Sequence, residues 1–508
     1  MPTYLDHLSP HMLPDGHLSD VIQIRDGRVI FADALDLLAL VERHGAPLEI
    51  SFCPLIDRRI REMRAAFAVA QARAGYRGEL VYAYATKANF AEEVVRTAVT
   101  AGAHYETSSA FDVRIAHRLW QSGVLPAERF VFCNGSKERP YLDAILELRK
   151  AGFANVVPIL DDPDEFEALA ACPEPLLLGV RERKDPGDLA EGATYGYDRF
   201  GMTPAELDLL AARVARTPHR IILYHAMVGS QLEDRAFWSS EVIESLAGYA
   251  RLRAAAPALE YFDFGGGMPT GAYSLGFSFD YVDFAEQLQR AVGEWCDARG
   301  LPHPRLVGEF GRYSVADHGL HIFRVGKVKR GHAGMPPWYL LDGSIMVALP
   351  DILIVKGQSF ITLALNHLEA EAGPAVLGGR RTCDSDDFYP RVGSRGIGEQ
   401  GGDDLILPLV GVPDKQTSRQ ADKQTAPESS SLPPGLLVSP ASSSSEALLV
   451  AFFGTGAYQA MLAGEGGAHH CLAPEAPKLI VEEQGGALVM RLVGEQTWAD
   501  VLGELGYQ

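Results

Sequence analysis

Leu80-Val-Tyr-Ala-Tyr-Ala-Thr-Lys-Ala-Asn-Phe90 is the stretch on which the fold turns. Its first six residues are apolar or aromatic, and Val81, Tyr82 and Tyr84 suit a buried strand. The run stops abruptly at Thr86-Lys87-Ala88-Asn89. A lysine at the end of a buried strand is costly to desolvate unless something pairs or uses it. Two readings follow. Either Lys87 extends to solvent along its stem, or burial lowers its pKa and frees the amine to condense with a carbonyl cofactor.

Outward from this stretch a rhythm appears. Strand-like runs lie at 80–85, 103–105, 129–133, 156–160, 176–180, 220–225, 259–264 and 305–308. Helical patterns fill most gaps, among them 90–101, 138–151 and 239–255. Eight strands alternating with helices predict a (β/α)8 barrel. That fold gathers chemistry at the carboxyl ends of its strands. The residues there are Lys87, Glu106, Asn134, Asp161, Arg181, His225 with Gly229-Ser230, Gly265-Gly266-Gly267, and Glu309 with Arg312.

The barrel is expected over 46–312, preceded by a segment, 1–45, that packs with a β-rich domain. That domain is expected over 313–413 and 446–508, with strand-like pieces at 320–328, 338–342, 351–355, 404–410 and 447–453. Between them, 414–445 is rich in Ser, Pro, Gln and Lys and reads as a disordered insertion. With 508 residues, 47% of them hydrophobic, the chain can bury a large core. A formal charge of −20 argues against nucleic acid and anionic membrane as partners. Six scattered cysteines form no CxxC pair, and no stretch has the shape of a leader or a membrane span, so a reduced, cytoplasmic protein is expected. His469-His470 beside Cys471 lacks metal-ligand spacing on one helical face, and no metal is expected.

The glycine triplet in Asp263-Phe-Gly-Gly-Gly-Met-Pro269 lets backbone N–H groups approach a phosphate, where barrels often hold one. Gly229-Ser230-Gln231 would add donors and Arg312 a charge. A phosphorylated aldehyde for Lys87 points to pyridoxal 5'-phosphate. Its ring nitrogen needs an acidic partner, for which Glu309 is placed; the alternative is that Glu309 merely pairs Arg312.

Six motifs in order now carry a resemblance. They are Tyr84-Ala-Thr-Lys-Ala-Asn89, Gly229-Ser-Gln231, Asp263-Phe-Gly-Gly-Gly267, Glu309-Phe-Gly-Arg-Tyr313, Thr382-Cys-Asp-Ser-Asp386 and Gly456-Ala-Tyr458. Together they resemble the fold type III pyridoxal-phosphate decarboxylases of basic amino acids, which join an alanine-racemase-like barrel to a β-domain. Phe132-Cys-Asn-Gly-Ser-Lys-Glu-Arg-Pro-Tyr141 and Phe452-Phe-Gly-Thr-Gly-Ala-Tyr-Gln459 look most like the biosynthetic arginine decarboxylases. The lysine stretch is more similar to the diaminopimelate enzymes.

The resemblance implies that Lys87 carries the cofactor, with Glu106 near its ring. Ser230, Gly265, Gly266, Gly267, Gly311, Arg312 and Tyr458 would surround the phosphate, and Glu309 would face the pyridine nitrogen. Cys383 would return a proton to the α-carbon, and Asp384, helped by Asp342, would meet the substrate's distal cation. Cys383 and Asp384 would come from the partner of a homodimer with shared active sites. Two residues depart from the family pattern. Met227 stands where a histidine usually stacks on the ring, with His225 one strand-step earlier, and Phe310 replaces a proline. The expected activity is conversion of L-arginine to agmatine and CO2 for polyamine synthesis. The alternatives are diaminopimelate, ornithine or lysine as substrate, or a non-catalytic binding or regulatory relative.

Overall fold

The computed structural model describes residues 2–184, 199–331, 334–355, 358–381, 383, 385–389, 405–410 and 447–507. Eight parallel strands form a closed barrel: β1 (Leu80–Ala85), β2 (His104–Thr107), β3 (Val131–Cys133), β4 (Val156–Leu160), β5 (Leu177–Arg181), β6 (Arg220–His225), β7 (Tyr261–Asp263) and β8 (Arg305–Glu309). The ring closes where Leu306 to Glu309 pair with Leu80 to Ala83. The alternation in β1 decides which residues point where. Val81 and Ala83 pack inside with Phe132, Val157, Ile159, Leu223 and Val307, while Tyr82 and Tyr84 join the larger core between strands and helices.

The helix Pro54–Ala74 feeds β1. It begins with proline in its first turn and ends at Gly75, whose φ of 62° is the left-handed cap a glycine adopts without strain. Its Phe67 meets Phe284 of the helix Tyr281–Asp297 edge-on, 6.4 Å between ring centroids.

The second unit is a nine-stranded sheet around the long strand Gly319–Lys329. That strand pairs antiparallel with Leu48–Phe52, Trp338–Leu341 and Leu449–Phe453. Leu48–Phe52 runs parallel to Lys478–Gln484, which forms a hairpin with Ala487–Val493. A three-stranded N-terminal sheet (Ile22–Arg25, Arg28–Phe31, Leu35–Asp36) and the helix Leu37–His44 share this unit's core.

Four details differ from the sequence reading. Residues 48–52 lie in the β-sheet, not in the barrel, because their apolar side chains pack with Leu320 and Ile322. Residues 351–355 are not a strand: Pro350 takes a helical φ of −64° and opens the helix Asp351–Ile354. The second barrel strand reaches Thr107, so Glu106 lies within it and not beyond it. The 404–410 piece supplies only Ile406–Pro408, paired with Ala372–Pro374 outside the main sheet. The stretch 414–445 lies outside the described residues.

Candidate active site

Lys87 stands in the short turn Thr86–Ala88 that follows β1. The turn is held from two sides. Thr86 Oγ1 donates to the Glu106 carbonyl at 2.9 Å. From the β-rich unit, Tyr458 N–H donates to the Ala88 carbonyl at 2.8 Å, and Asn89 Nδ2 donates to the Gly456 carbonyl at 2.9 Å. Lys87 is exposed to a cleft of roughly 190 Å³ lined also by Met227, Ser230, Gly266, Gly267, Glu309, Gly311, Arg312 and Tyr458.

At three consecutive glycines beside this cleft a side chain would clash. A Cβ on Gly265 would run into Met227 Sδ, one on Gly266 into the Glu309 carbonyl oxygen, and one on Gly267 into the Gly229 carbonyl oxygen. Gly265 and Gly267 also have φ of 75° and 93°. Arg312 Nη1 donates to Asp351 Oδ2 at 3.1 Å and to Tyr273 Oη at 3.0 Å. Its guanidinium carbon lies 4.5 Å from the Tyr458 ring centroid. The carboxylate partner of Arg312 is therefore Asp351, and Glu309 is left for other work.

Behind the cleft lies a buried polar cluster. Asn134 Nδ2 donates to Glu106 Oε1 at 2.9 Å and to Glu309 Oε1 at 2.6 Å. Its Oδ1 faces His225 Nδ1 at 3.2 Å. Gly265 N–H donates to Asp263 Oδ1 at 2.8 Å. Glu106 Oε2, Asp263 Oδ2 and His225 Nε2 are buried without a hydrogen-bond partner.

The charges divide unevenly. Glu106 raises the Lys87 pKa above that of a free lysine and outweighs burial, so the sequence expectation of a burial-lowered lysine is corrected. Burial, reinforced by the Glu309 charge, pushes Glu106 up to about 8. Burial and Glu309 also hold Asp263 well above the carboxylate range. Burial alone would raise Glu309 too, but His225, Lys87 and the Asn134 amide together keep it low. Burial lowers His225 to about 4, so its imidazole is neutral near pH 7. The cluster thus divides: its electrostatics favour the charged form of Glu309 and the protonated forms of Glu106 and Asp263.

Not every predicted residue joins this cleft. Asp342 lines a separate cavity of roughly 260 Å³ with Glu49, His321, Arg381 and Lys478. Cys383 is half-buried and not among the cleft-lining residues. Its loop is tied to the Asp342 loop through Asp386, whose N–H donates to the Cys383 carbonyl and whose carboxylate accepts from Ser344 Oγ and Ile345 N–H. Asp384 lies outside the described residues. Three residues of the site were not singled out in the sequence: Asn134 as a bridge, Asp263 beneath the glycines, and Asp351. Only the first two carried a signal, their positions at strand ends.

The family model described as the pyridoxal-binding domain of pyridoxal-dependent decarboxylases matches residues 55–316. Relatives named biosynthetic arginine decarboxylase include that of Pseudomonas putida, 28% identical over 57% of this chain and 47% of its own length. That of Thermosynechococcus vestitus is 26% identical over 58% of this chain and 49% of its own. The chain thus spans about half the length of these relatives. Among solved structures, the biosynthetic arginine decarboxylase of Campylobacter jejuni superposes with a TM-score of 0.75 at 17% identity, covering 100% of this chain and 91% of that one. The diaminopimelate decarboxylase of M. jannaschii gives 0.72 at 18%, covering 96% and 98%.

The residues present fit pyridoxal phosphate. The glycine cradle and Arg312 suit a phosphate, the amine of Lys87 an aldehyde, and the anionic Glu309 a protonated ring nitrogen. His225, Asp263 and Glu309 also bring ligand atoms within 4.8 Å of one another, a spacing a metal ion would accept. Of these three, Glu309 also accepts from Asn134. Among the described residues no helix is long and apolar enough to cross a membrane.

Proposed function

Because the chain belongs to the pyridoxal-dependent decarboxylase family, we propose that it removes the α-carboxylate of a basic amino acid, foremost L-arginine, to give agmatine and CO2. The observation that carries this is Lys87 facing one cleft with the glycine cradle, Arg312 and an anionic Glu309. The name shared by the arginine decarboxylase relatives supports the substrate.

In this reading Lys87 is the amine that holds the aldehyde, while Ser230, Gly265, Gly266, Gly267, Gly311, Arg312 and Tyr458 hold the phosphate. Glu309 keeps a proton on the ring nitrogen and Glu106 lies beside Lys87. When bound, the cofactor supplies an electron-withdrawing ring that takes up the electron pair left as CO2 departs. Met227, which lines the cleft, would offer its thioether to the ring, with the buried His225 behind it. Cys383 returns a proton to the α-carbon, and Asp342 and Asp384 bind the distal cation. Because Cys383 lies outside the Lys87 cleft, the reading includes a homodimer in which the partner completes each site, acting on a small-molecule substrate in the cytoplasm.

The test is the visible spectrum of the purified protein before and after borohydride, followed by CO2 release from arginine, diaminopimelate, ornithine and lysine side by side. A cofactor band that borohydride abolishes, with CO2 fastest from arginine, is expected. CO2 from another of the four would reassign the substrate. A protein that takes up no pyridoxal phosphate would overturn the reading.

A further inference from the structure

We propose that Asn134 is the positioning residue of the cleft floor: its single side-chain amide aligns Glu106, Glu309 and His225 and makes the floor ready for the cofactor ring. The inference rests on the functional reading above and names a residue that reading does not use.

The hydrogen bonds leave the amide one orientation. Two carboxylate oxygens, Glu106 Oε1 and Glu309 Oε1, lie 2.9 and 2.6 Å from Nδ2, which has two hydrogens to give. Oδ1 is then an acceptor, so the neutral His225 must donate from Nδ1 at 3.2 Å. That choice of tautomer turns an unprotonated Nε2 toward the space beside Gly265, where it has no partner. One amide therefore bridges Glu106 and Glu309, which would repel once Glu106 ionises, and fixes which imidazole nitrogen can accept.

The loop around Asn134 is built to keep it there. Asn134 N–H donates to the Thr107 carbonyl at 3.0 Å. Three residues on, Lys137 has a fully buried side chain that donates to the Gly135 carbonyl at 2.7 Å and pairs with Glu165 at 3.0 Å. Burying an ion pair costs several kcal/mol of desolvation per charge before attraction offsets it. A loop that merely ended β3 would not need one. The groups facing Asn134 come from the other strands: Lys87 after β1, Glu106 in β2, Arg181 in β5, His225 in β6, Asp263 in β7 and Glu309 in β8.

The test compares Asn134→Ala and Asn134→Asp with the wild type by fluorescence titration with pyridoxal phosphate at about pH 6 and about pH 8.5. Asn134→Ala is expected to weaken cofactor binding by roughly 10-fold or more at both values. Asn134→Asp keeps the shape but places a further carboxylate against Glu106 and Glu309. Its deficit should be largest at the higher pH and shrink by roughly 10-fold at the lower, where a shared proton relieves the repulsion. A smaller folded fraction changes the number of sites titrated and not their affinity, so it cannot imitate this pH ratio. Variants that bind like the wild type at both values would overturn the role of Asn134 and leave the functional reading standing. A wild type that binds no cofactor would overturn both.

Discussion

Two cavities of this molecule hold lysines among carboxylates, and they differ in how far they satisfy themselves. In the β-rich unit, Lys478 pairs with Glu93 at 2.9 Å, Glu49 at 3.6 Å and Glu465 at 3.8 Å, and His321 faces Glu49 at 3.8 Å. In the barrel, Lys87 has no carboxylate within ion-pair distance among the described residues, and polar atoms of Glu106, Asp263 and His225 are buried unpaired. Buried polar atoms are almost always satisfied in native proteins. In the first cavity Lys478 supplies the countercharge for the carboxylates around it.

The sharpest way to break that contrast is to remove each lysine. Lys87→Ala should lower decarboxylation of arginine at least about 10⁴-fold and abolish the borohydride-sensitive band, with little change in melting temperature. Lys478→Met should do the reverse, because it leaves Glu49 and Glu93 uncompensated. Urea unfolding should show a loss of about 3–5 kcal/mol, with cofactor affinity nearly unchanged.

A pH-dependent effect tests the proton held in the barrel. Glu106, held up at about 8, keeps a proton that an unfolded chain, at 4.5, has already released. The folded state therefore binds more protons between those values, and its stability falls as pH rises through that window. In Glu106→Gln, melting of the cofactor-free protein should lose this slope, worth on the order of 5 kcal/mol across the window. The smallest effect belongs to Asp342, whose proposed role is substrate contact from the other cavity. Asp342→Asn should raise KM for arginine by about 10-fold and leave the cofactor spectrum as it was.

The barrel was legible because its evidence is local. Val81 and Ala83 against Tyr82 and Tyr84 announce a strand with two apolar environments, and each following strand ends on or just before a polar residue. The same reading failed at Leu48–Phe52 and at Asp351–Ile354. Both are short apolar runs, and what places them is a partner far along the chain, Gly319–Ile322 for the first and Arg312 with Gln459 for the second. The cleft residues were found as types in a motif. Their protonation was not, because Lys87 and Glu106 lie apart in sequence and only the fold decides that attraction outweighs burial at Lys87 while burial wins at Glu106. The bridge made by Asn134 was hidden for the same reason.

The clamp on the lysine turn has a consequence for how the protein is made. Ala88 and Asn89 receive their partners from Tyr458 and Gly456, some 370 positions later in the chain. A ribosome that has released all eight barrel strands has therefore not yet released the residues that lock Lys87 in place. Lys87 waits, during synthesis, on a segment that follows the strand Leu449–Phe453, so the nascent barrel is a scaffold before its cleft is set.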